Sequence, residues 1–377
     1  MDFELNGEHK MFRKTVRDFA EREIAPLIDE AEEKQKFPRE LVHKAREVGL
    51  LGVGFPEEYG GSGGDMIMVC ILCEELSRVC SGIGVGLFSI AMGSGAILAL
   101  GNEEQKRKYL PSAFKGEKVF ALGLTEPNAG SDLSAIETTA REDGDNYILN
   151  GSKIFITNGT FADYVFTAAY TDKSKGLLGM NLFIVDTKTP GFSVTRKLDK
   201  LGHRSAETAE LLYEDVRVPK ENILGAEGGM INILQLLDGG RVIVAARALG
   251  IAQAAYEAAF KYSQERVQFG RPISKFQVNR FKIARMAMEI DAARLLIYRA
   301  AWLLGQDKKC TKEASMAKLF ASELAVRVAG EALHLHGGYG YIKEFPVERY
   351  FRDAKLCPIT EGTSEIQHII IARELEL

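Results

Sequence analysis

One carboxylate stands apart in the stretch ITEGTSEIQ, residues 359–367, just before a segment of helical character. Glu361 has no histidine, second acid or metal ligand directly beside it. Gly362 gives the next peptide conformational freedom. Ser364 and Gln367 have the spacing of a capping box, which predicts a helix that begins at Ser364. Glu361 would therefore lie on a loop held by a helix, as a general base, a solvated acid or part of the cap.

Four other clusters of small and polar residues could bind a phosphate or a flat ring. Glycines and hydroxyl residues let backbone N–H groups approach such ligands closely. Each cluster alone is equally typical of a turn or a helix end. The clusters are LTEPNAGSD (124–132), FITNG (155–159), ERVQFGRPISKFQ (265–277) and HLHGGYGY (334–341).

Several familiar catalytic patterns are missing from the sequence. It contains no GxGxxG after a strand, no GxxxxGK[ST], no HExxH and no GxSxG. His334 and His336 are two residues apart, so they do not share a helix face as metal ligands would. A nicotinamide dinucleotide fold, an NTPase and a zinc hydrolase are therefore poor hypotheses, and no metal site is expected.

The composition is that of an ordinary globular protein. The 377 residues are 46% apolar and 27% charged, and the net charge is −4. This favours two or three domains and gives no reason to expect a nucleic-acid partner. Five cysteines argue for a reducing compartment, and Cys70 and Cys73 lie in an apolar run without a second pair for zinc. We expect them to be buried structural residues in a cytoplasmic protein.

One uncharged stretch, residues 79–102, is about long enough to span a membrane. Its glycines and serines dilute its hydrophobicity, so we expect one or two buried helices instead. The N-terminus is charged and lacks an apolar signal core.

The chain changes character twice, which predicts three domains. Residues 1–118 have helical spacing, 119–228 have short β-like runs, and 229–377 are alanine-rich and helical again. Asn150-Gly151 is typical of a hairpin turn. The last segment is typical of a four-helix bundle. The expected strands are YVFTAAY (164–170), NLFIVD (181–186), FSVTRKL (192–198) and AELLYEDVRV (209–218).

Together the motifs resemble the acyl-CoA dehydrogenase family over essentially the whole chain. The resemblance implies a mainly α fold with an N-terminal helical domain, a small β-barrel or sandwich in the middle and a C-terminal four-helix bundle. It implies a homotetramer (a dimer of dimers) with one FAD per subunit, which oxidises an acyl-CoA to the trans-2-enoyl-CoA and passes electrons to an electron-transfer flavoprotein. The motifs are LTEPNAGSD, FITNG, LDGGR (237–241), RVQFG (266–270), HGGYGY (336–341), FRDAK (351–355) and EGTSEIQ (361–367).

The same resemblance gives Glu361 a role. It would take the proton next to the thioester carbonyl, while flavin N5 takes the hydride from the following carbon. Desolvation by the acyl chain would raise its pKa, and its backbone N–H with a ribityl hydroxyl would stabilise the enolate. A subgroup carries the base just before the arginine of the LDGGR-like segment, where this chain has Gly240. Asp238, Gly240, Arg241 and Gly362 are expected to contact the substrate, with Asp238 and Arg241 facing the CoA or orienting the loop.

Further residues are expected to bind FAD. Thr125 would hydrogen-bond the flavin ring, with backbone contacts from Leu122 and Leu124. Ser131 would contact both FAD and the CoA chain. The other expected contacts are Phe155 and Thr157 beside the isoalloxazine, Arg266, Phe269 and Gln277 on a neighbouring subunit's FAD, His334, Gly337 and Gly338 at the adenine, and Thr363 and Glu365 at the dinucleotide.

Three residues depart from the common family pattern. Phe155 stands for tryptophan, His334 for glutamine, and Thr360 for tyrosine before the base. Thr360 opens space that a branched, cyclic or polar acyl group or a water could fill, and we expect a short or medium chain. An enoyl-CoA reductase, an oxidase of the same fold and a non-catalytic scaffold remain as alternative functions.

Overall fold

The computed structural model describes residues 4–225, 229–306 and 308–377, and its first third is helical. Asn6 caps α1 by accepting the backbone N–H of His9 at 2.8 Å. Asn102 and Gln105 form a capping box at the start of α6. The helices are α1 (Gly7–Phe19), α2 (Ile28–Lys34), α3 (Glu40–Glu47), α4 (Met66–Met92), α5 (Ser94–Leu100) and α6 (Glu103–Phe114).

Helix α4 is the central element of the molecule, and its backbone leaves helical geometry at Cys80 (φ −154°, ψ 107°). Cys70 and Cys73 are buried and unpaired, as predicted. Two helical stretches, Met66–Leu100 and Leu237–Glu265, are long and apolar enough to cross a membrane. Their most apolar windows are 56% and 78% buried within the protein, which is typical of core helices.

The middle of the chain forms one eight-stranded sheet in the order β6-β7-β3-β2-β4-β5-β8, with β1 paired to β4. Alternate residues of β4 pack on opposite faces: Phe166 contributes to one apolar cluster and Val165 to the other. All four strands expected from the sequence are present. The strands are β1 (Phe120–Gly123), β2 (Thr139–Asp143), β3 (Asn146–Thr157), β4 (Tyr164–Tyr170), β5 (Met180–Asp186), β6 (Phe192–Lys197), β7 (Thr208–Pro219) and β8 (Ile223–Leu224).

The hairpin turn predicted at Asn150-Gly151 is wrong. These residues lie inside β3, where the register against β7 shifts between Leu149 and Gly151. Asn150 exchanges two hydrogen bonds with Asp215, at 3.0 and 2.9 Å. The β2–β3 turn falls at residues 144–145 instead. A bulge and a hairpin turn favour the same residue types, so the local pattern could not separate them.

The C-terminal part is a helical bundle in which α7, α8 and α9 pack around buried alanines, with α10 against α7 and α9 and with α11 against α9. Helix α7 crosses α4 so closely that a Cβ atom on Gly250 would lie 2.2 Å from the carbonyl oxygen of Glu74. The elements are α7 (Gly229–Glu265), the short strands β9 (Val267–Gln268) and β10 (Arg271–Pro272), α8 (Gln277–Leu304), α9 (Thr311–His336), α10 (Val347–Ala354) and α11 (Ser364–Glu374).

Two buried hydrogen bonds join the middle part of the chain to the N-terminal and C-terminal helices. The Asn158 side chain donates to the carbonyl of Gly86 in α4 at 3.0 Å. The backbone N–H of His203 donates to the Asp353 carboxylate in α10 at 2.6 Å. Asn158, His203 and Asp353 are all buried, so these bonds connect the three parts of the chain within the protein interior.

Candidate active site

Glu361 lies on the loop between α10 and α11, in a left-handed conformation with φ 54°. The side chain of Gln367 donates to the carbonyls of Glu361 and Gly362, at 3.1 and 2.9 Å. Lys318, from α9, donates to the carbonyl of Gly362 at 2.6 Å. Gly362 has φ 89°, and a Cβ there would lie 2.7 Å from the Gln367 amide nitrogen. The loop is therefore fixed by two side chains, and its positive φ and the close Gln367 amide both favour glycine at 362.

The predicted capping box at Ser364 and Gln367 is wrong, although α11 does begin at Ser364. The N-cap is Thr363, whose hydroxyl accepts the backbone N–H of Ile366 at 3.4 Å. Gln367 turns back to the base loop and leaves the Ser364 hydroxyl buried without a hydrogen-bond partner. Thr363 was expected to bind the dinucleotide; its hydroxyl caps the helix, and Glu365 beside it is exposed.

The Glu361 carboxylate faces Gly240 on α7. A Cβ atom added to Gly240 would lie 3.0 Å from Oε2 of Glu361. The next residue, Arg241, donates to Asp238 at 2.5 Å, and Asp238 accepts the Thr311 hydroxyl at 2.7 Å. Both charged residues are buried, so this pair ties α7 to α9 next to the base.

Burial raises the pKa of Glu361 above its ordinary value. The positive charges of Arg247, Arg241 and Lys318 act in the opposite direction without cancelling the effect of burial. No side chain in the described ranges donates a hydrogen bond to this carboxylate. A carboxylate that is desolvated, weakly neutralised and free of donors is suited to accept a proton.

The residues expected at the flavin ring lie around the end of β1 and the bulge of β3. The backbone N–H of Ile154 donates to the carbonyl of Thr125 at 2.9 Å, which joins the two segments. Phe155 has φ 63° and is 63% exposed at the bulge between Lys153 and Ile156. Leu122 is also exposed. These residues form one accessible apolar surface, which Leu124, Thr125 and Thr157 border with partly buried side chains.

A buried ion pair that sequence reasoning missed supports this surface. The Lys153 ammonium lies 2.7 Å from Glu126 and also donates to the Leu124 carbonyl at 3.1 Å. Glu126 further accepts the backbone N–H groups of Glu137 and Thr138, at 2.6 and 3.0 Å. Burial lowers the pKa of Lys153 to about 8, against the attraction of Glu126. The pair fixes the turn that leads to Ser131, which is exposed.

The residues expected at a neighbouring subunit's FAD lie on an outward surface. Arg266 stacks over the Tyr339 ring at 5.5 Å and forms no ion pair with any described residue. Phe269, at the β9–β10 turn, has φ 51° and is 93% exposed. Gln277 is the exposed first residue of α8. Within a single chain these groups have few partners, which suits contacts to another molecule.

The two histidines at the end of α9 lie in different environments. His336 is buried, stacks on Tyr262 at 4.1 Å and bonds the Ala332 carbonyl at 2.8 Å, so it is a core residue. His334 is exposed. Gly337 and Gly338 are exposed too, and a Cβ atom on either would meet no atom within 4 Å.

These surfaces fit FAD by their chemistry. Exposed aromatic and apolar side chains beside β1 and β3 suit a flat ring, an unpaired arginine suits a pyrophosphate, and open glycines permit close backbone contacts. The FAD-binding roles assigned to all of these residues stay predictions, including those of Ser131, Phe269, His334 and Glu365. No cluster of three metal-ligating side chains occurs in the described part of the chain.

Comparison with known proteins places the chain in a family. Residues 6–117, 121–216 and 227–376 match the N-terminal, middle and C-terminal domains of acyl-CoA dehydrogenases. The 3-(aryl)acrylate reductase of Clostridium sporogenes is 47% identical over 98% of both chains.

Two solved structures share the whole fold. The butyryl-CoA dehydrogenase of Megasphaera elsdenii has 45% identity and a TM-score of 0.97, covering 100% of both chains. A chain from the structure of the electron-transferring flavoprotein of Acidaminococcus fermentans has 48% identity and a TM-score of 0.97, covering 100% of this chain and 99% of that one. The chain belongs to the acyl-CoA dehydrogenase family of FAD-dependent oxidoreductases.

Proposed function

We propose that this protein oxidises a short-chain acyl-CoA to the trans-2-enoyl-CoA, with Glu361 as the base that takes the proton from the α-carbon. The observation that carries the proposal is the Glu361 carboxylate itself, with its raised pKa, its contact with Gly240 and its anchored loop. FAD, when bound, supplies the acceptor for the hydride from the β-carbon.

The backbone of the base loop supplies a second function. The N–H of Glu361 donates to no acceptor in the described residues. The neighbouring carbonyls of Glu361 and Gly362 are both occupied by Gln367. A thioester carbonyl placed beside the loop would find one free donor, and such a donor stabilises a developing oxyanion by about 3 kcal/mol.

A short acyl chain is supported by the similarity to the Megasphaera butyryl-CoA dehydrogenase. The partner is proposed to be an electron-transfer flavoprotein, on the basis of the Acidaminococcus structure.

The runner-up function is reduction of an enoyl-CoA, which the 47% identity to the Clostridium 3-(aryl)acrylate reductase favours. The residues would be the same, with protonated Glu361 returning a proton to the α-carbon. The raised pKa serves this direction too, because it keeps more of the acid form near neutral pH.

The proposed assembly is a homotetramer. Helix α8 presents an exposed apolar stripe whose members are spaced by three residues and then by seven. Phe269 is exposed at the turn before this helix. A stripe of this spacing is suited to pack against another helix. Its members are Val278, Phe281, Met288, Leu295 and Trp302. We also propose a cytoplasmic location, since the five cysteines are all unpaired.

The deciding experiment is an anaerobic titration of the purified protein with saturated acyl-CoAs while the visible flavin band is followed. The panel is butyryl-, isobutyryl-, isovaleryl-, octanoyl-, glutaryl- and cyclohexanecarboxyl-CoA. Bleaching by any member supports the dehydrogenase. The reductase is supported if none of them bleaches the yellow protein but the protein reduces an enoyl-CoA with electrons from reduced electron-transfer flavoprotein.

Two further observations complete the test. Rapid reoxidation of the reduced protein by air would identify an oxidase instead of a flavoprotein-linked enzyme. A colourless protein that takes up no FAD would contradict the enzymatic assignment and favour a non-catalytic scaffold.

A further inference from the structure

Arg247, on α7, is a buried cation with incomplete partners. Its side chain is only 6% exposed, and its Nε atom has no hydrogen-bond partner. Its Nη2 atom donates a long bond to Nδ1 of His203 at 3.4 Å, and its guanidinium lies 5.6 Å from the ring centre of Phe88. Across the described residues, no carboxylate forms an ion pair with it.

The groups around Arg247 are mostly neutral. Burial raises the pKa of Cys73 to about 12 and that of Cys357 to about 11, so both thiols are uncharged. Burial also lowers the pKa of His203, which is therefore a neutral acceptor. Asp353 is near, but its Oδ1 atom already accepts the His203 backbone N–H at 2.6 Å. A desolvated guanidinium is normally paired with an anion or satisfied by several acceptors.

Arg247 faces the same space as the base. Gly240 and Arg247 are two turns apart on α7, on the same face and separated by about 10 Å along the axis. Helical side chains tilt toward the N-terminus, so Arg247 leans back toward Gly240. Its charge is felt at Glu361, which lies against Gly240. Phe88 of α4 packs against the guanidinium of Arg247.

We propose that Arg247 binds a carboxylate at the far end of a short acyl chain, so that the substrate is the CoA monothioester of a dicarboxylic acid. The proposal rests on the proposed function, because it places the reacting carbons between Glu361 and the flavin. A planar guanidinium can hold a carboxylate through two parallel hydrogen bonds, and the unpartnered Nε supplies one of them.

The size of the acyl group follows from the same geometry. Arg247 lies only two helical turns beyond the base, so an acyl chain that starts at Glu361 meets the guanidinium after a few carbons. A long apolar chain would push its tail against a buried charge, which is unfavourable. A short chain that ends in a carboxylate would instead neutralise that charge.

The competing explanation is that Arg247 acts only on Glu361, as a positioning residue whose charge lowers the pKa of the base. Such a role would change the pH dependence of flavin reduction for every substrate equally. It would not make the protein prefer an acid over a neutral ligand of the same shape. The preference therefore separates the two explanations.

The test compares glutaryl-CoA with its ω-amide, which has the same shape without the charge. Binding to the FAD-loaded protein is measured from the perturbation of the flavin spectrum. We expect the acid to bind about 10- to 100-fold more tightly than the amide. Arg247→Gln keeps a donor for His203 and should abolish the preference, whereas Arg299→Gln, an exposed control on α8, should keep it.

Equal affinity of the wild-type protein for acid and amide would overturn the proposal, and that comparison does not depend on any variant folding. A preference that survives in Arg247→Gln would overturn it as well. If a neutral acyl-CoA bleaches the flavin while the acid shows no advantage, the dehydrogenase assignment stands and only the dicarboxylate inference fails. If no acyl-CoA binds or bleaches, both fail.

Discussion

Gly240 and Glu361 are in contact: a Cβ atom on Gly240 would lie 3.0 Å from Oε2 of the carboxylate. In the family resemblance, these two positions carry the base in different subgroups. The contact shows why either can serve, since a carboxylate projecting from α7 or from the loop reaches the same space. In this chain only the loop supplies one.

Glu361→Gln should preserve the fold, the yellow colour and acyl-CoA binding, because the amide is isosteric. Flavin reduction should slow by about 100- to 10,000-fold, since the amide cannot accept the proton. Anaerobic stopped-flow spectroscopy with a substrate that bleaches the wild type measures this. The matched control is Glu376→Gln, a nearby glutamate whose side chain is exposed. Wild-type reduction in Glu361→Gln would show that another group is the base.

A carboxylate at position 240 should be able to replace the one at position 361. Glu361→Gly should lose flavin reduction, and adding Gly240→Glu should restore at least about tenfold of it, because the new carboxylate occupies the same space. The single variant Gly240→Glu, with Glu361 present, should raise the apparent pKa of reduction, because two adjacent carboxylates resist double ionisation. No recovery in the double variant would mean that the loop backbone matters more than the position of the carboxylate.

The pH profile should respond to Lys318. Reduction needs ionised Glu361, so its rate falls as the pH drops through the pKa of this residue. Lys318 lowers that pKa by its charge, so Lys318→Met should move the acidic limb of the profile to higher pH. Lys312→Met, on the same helix and paired with Glu313, is the control. An unchanged limb would argue that Lys318 acts only through the Gly362 carbonyl.

Breaking the buried pair beneath the flavin surface should destabilise the protein. Lys153→Met leaves the Glu126 carboxylate without its cation, at a cost of about 3–5 kcal/mol in the free energy of unfolding. Denaturant titration measures the loss, and FAD content should fall with it. Lys153→Met combined with Glu126→Gln should cost less than the sum of the two single changes. Additive costs would show that the two residues are not coupled.

The apolar stripe of α8 should mediate self-association. Phe281→Lys, which places a charge in its middle, should reduce the mass measured by sedimentation and lower the FAD content, because Phe269 and Arg266 would lose their neighbour. Met11→Lys on α1, an exposed apolar residue, is the control with the same change of charge. A wild-type tetramer in Phe281→Lys would assign the interface to another surface.

Sequence patterns predicted the order of helices and strands because hydrophobic periodicity and turn residues are local signals. They also singled out Glu361. They misassigned Asn150-Gly151 and Ser364 because each judgement depended on residue types that several local structures share.

The supports of the site could not be predicted for a different reason. Lys318 reaches Gly362 across 44 residues, and Lys153 meets Glu126 across 27. The acceptor that each lysine contacts depends on how helices and strands pack. The residues next to each lysine in the sequence do not indicate it. Arg247 is similar, since its lack of an anionic partner is visible only in three dimensions.

The anchor of the base loop also has a consequence for protein synthesis. Gln367, which holds the carbonyls of Glu361 and Gly362, follows the base in the sequence and belongs to α11. A ribosome therefore finishes the residues expected at the flavin well before it makes the segment that orients the carboxylate. A nascent or truncated chain that lacks α11 would contain the glutamate but could not hold it in place, so no incomplete chain should turn over substrate.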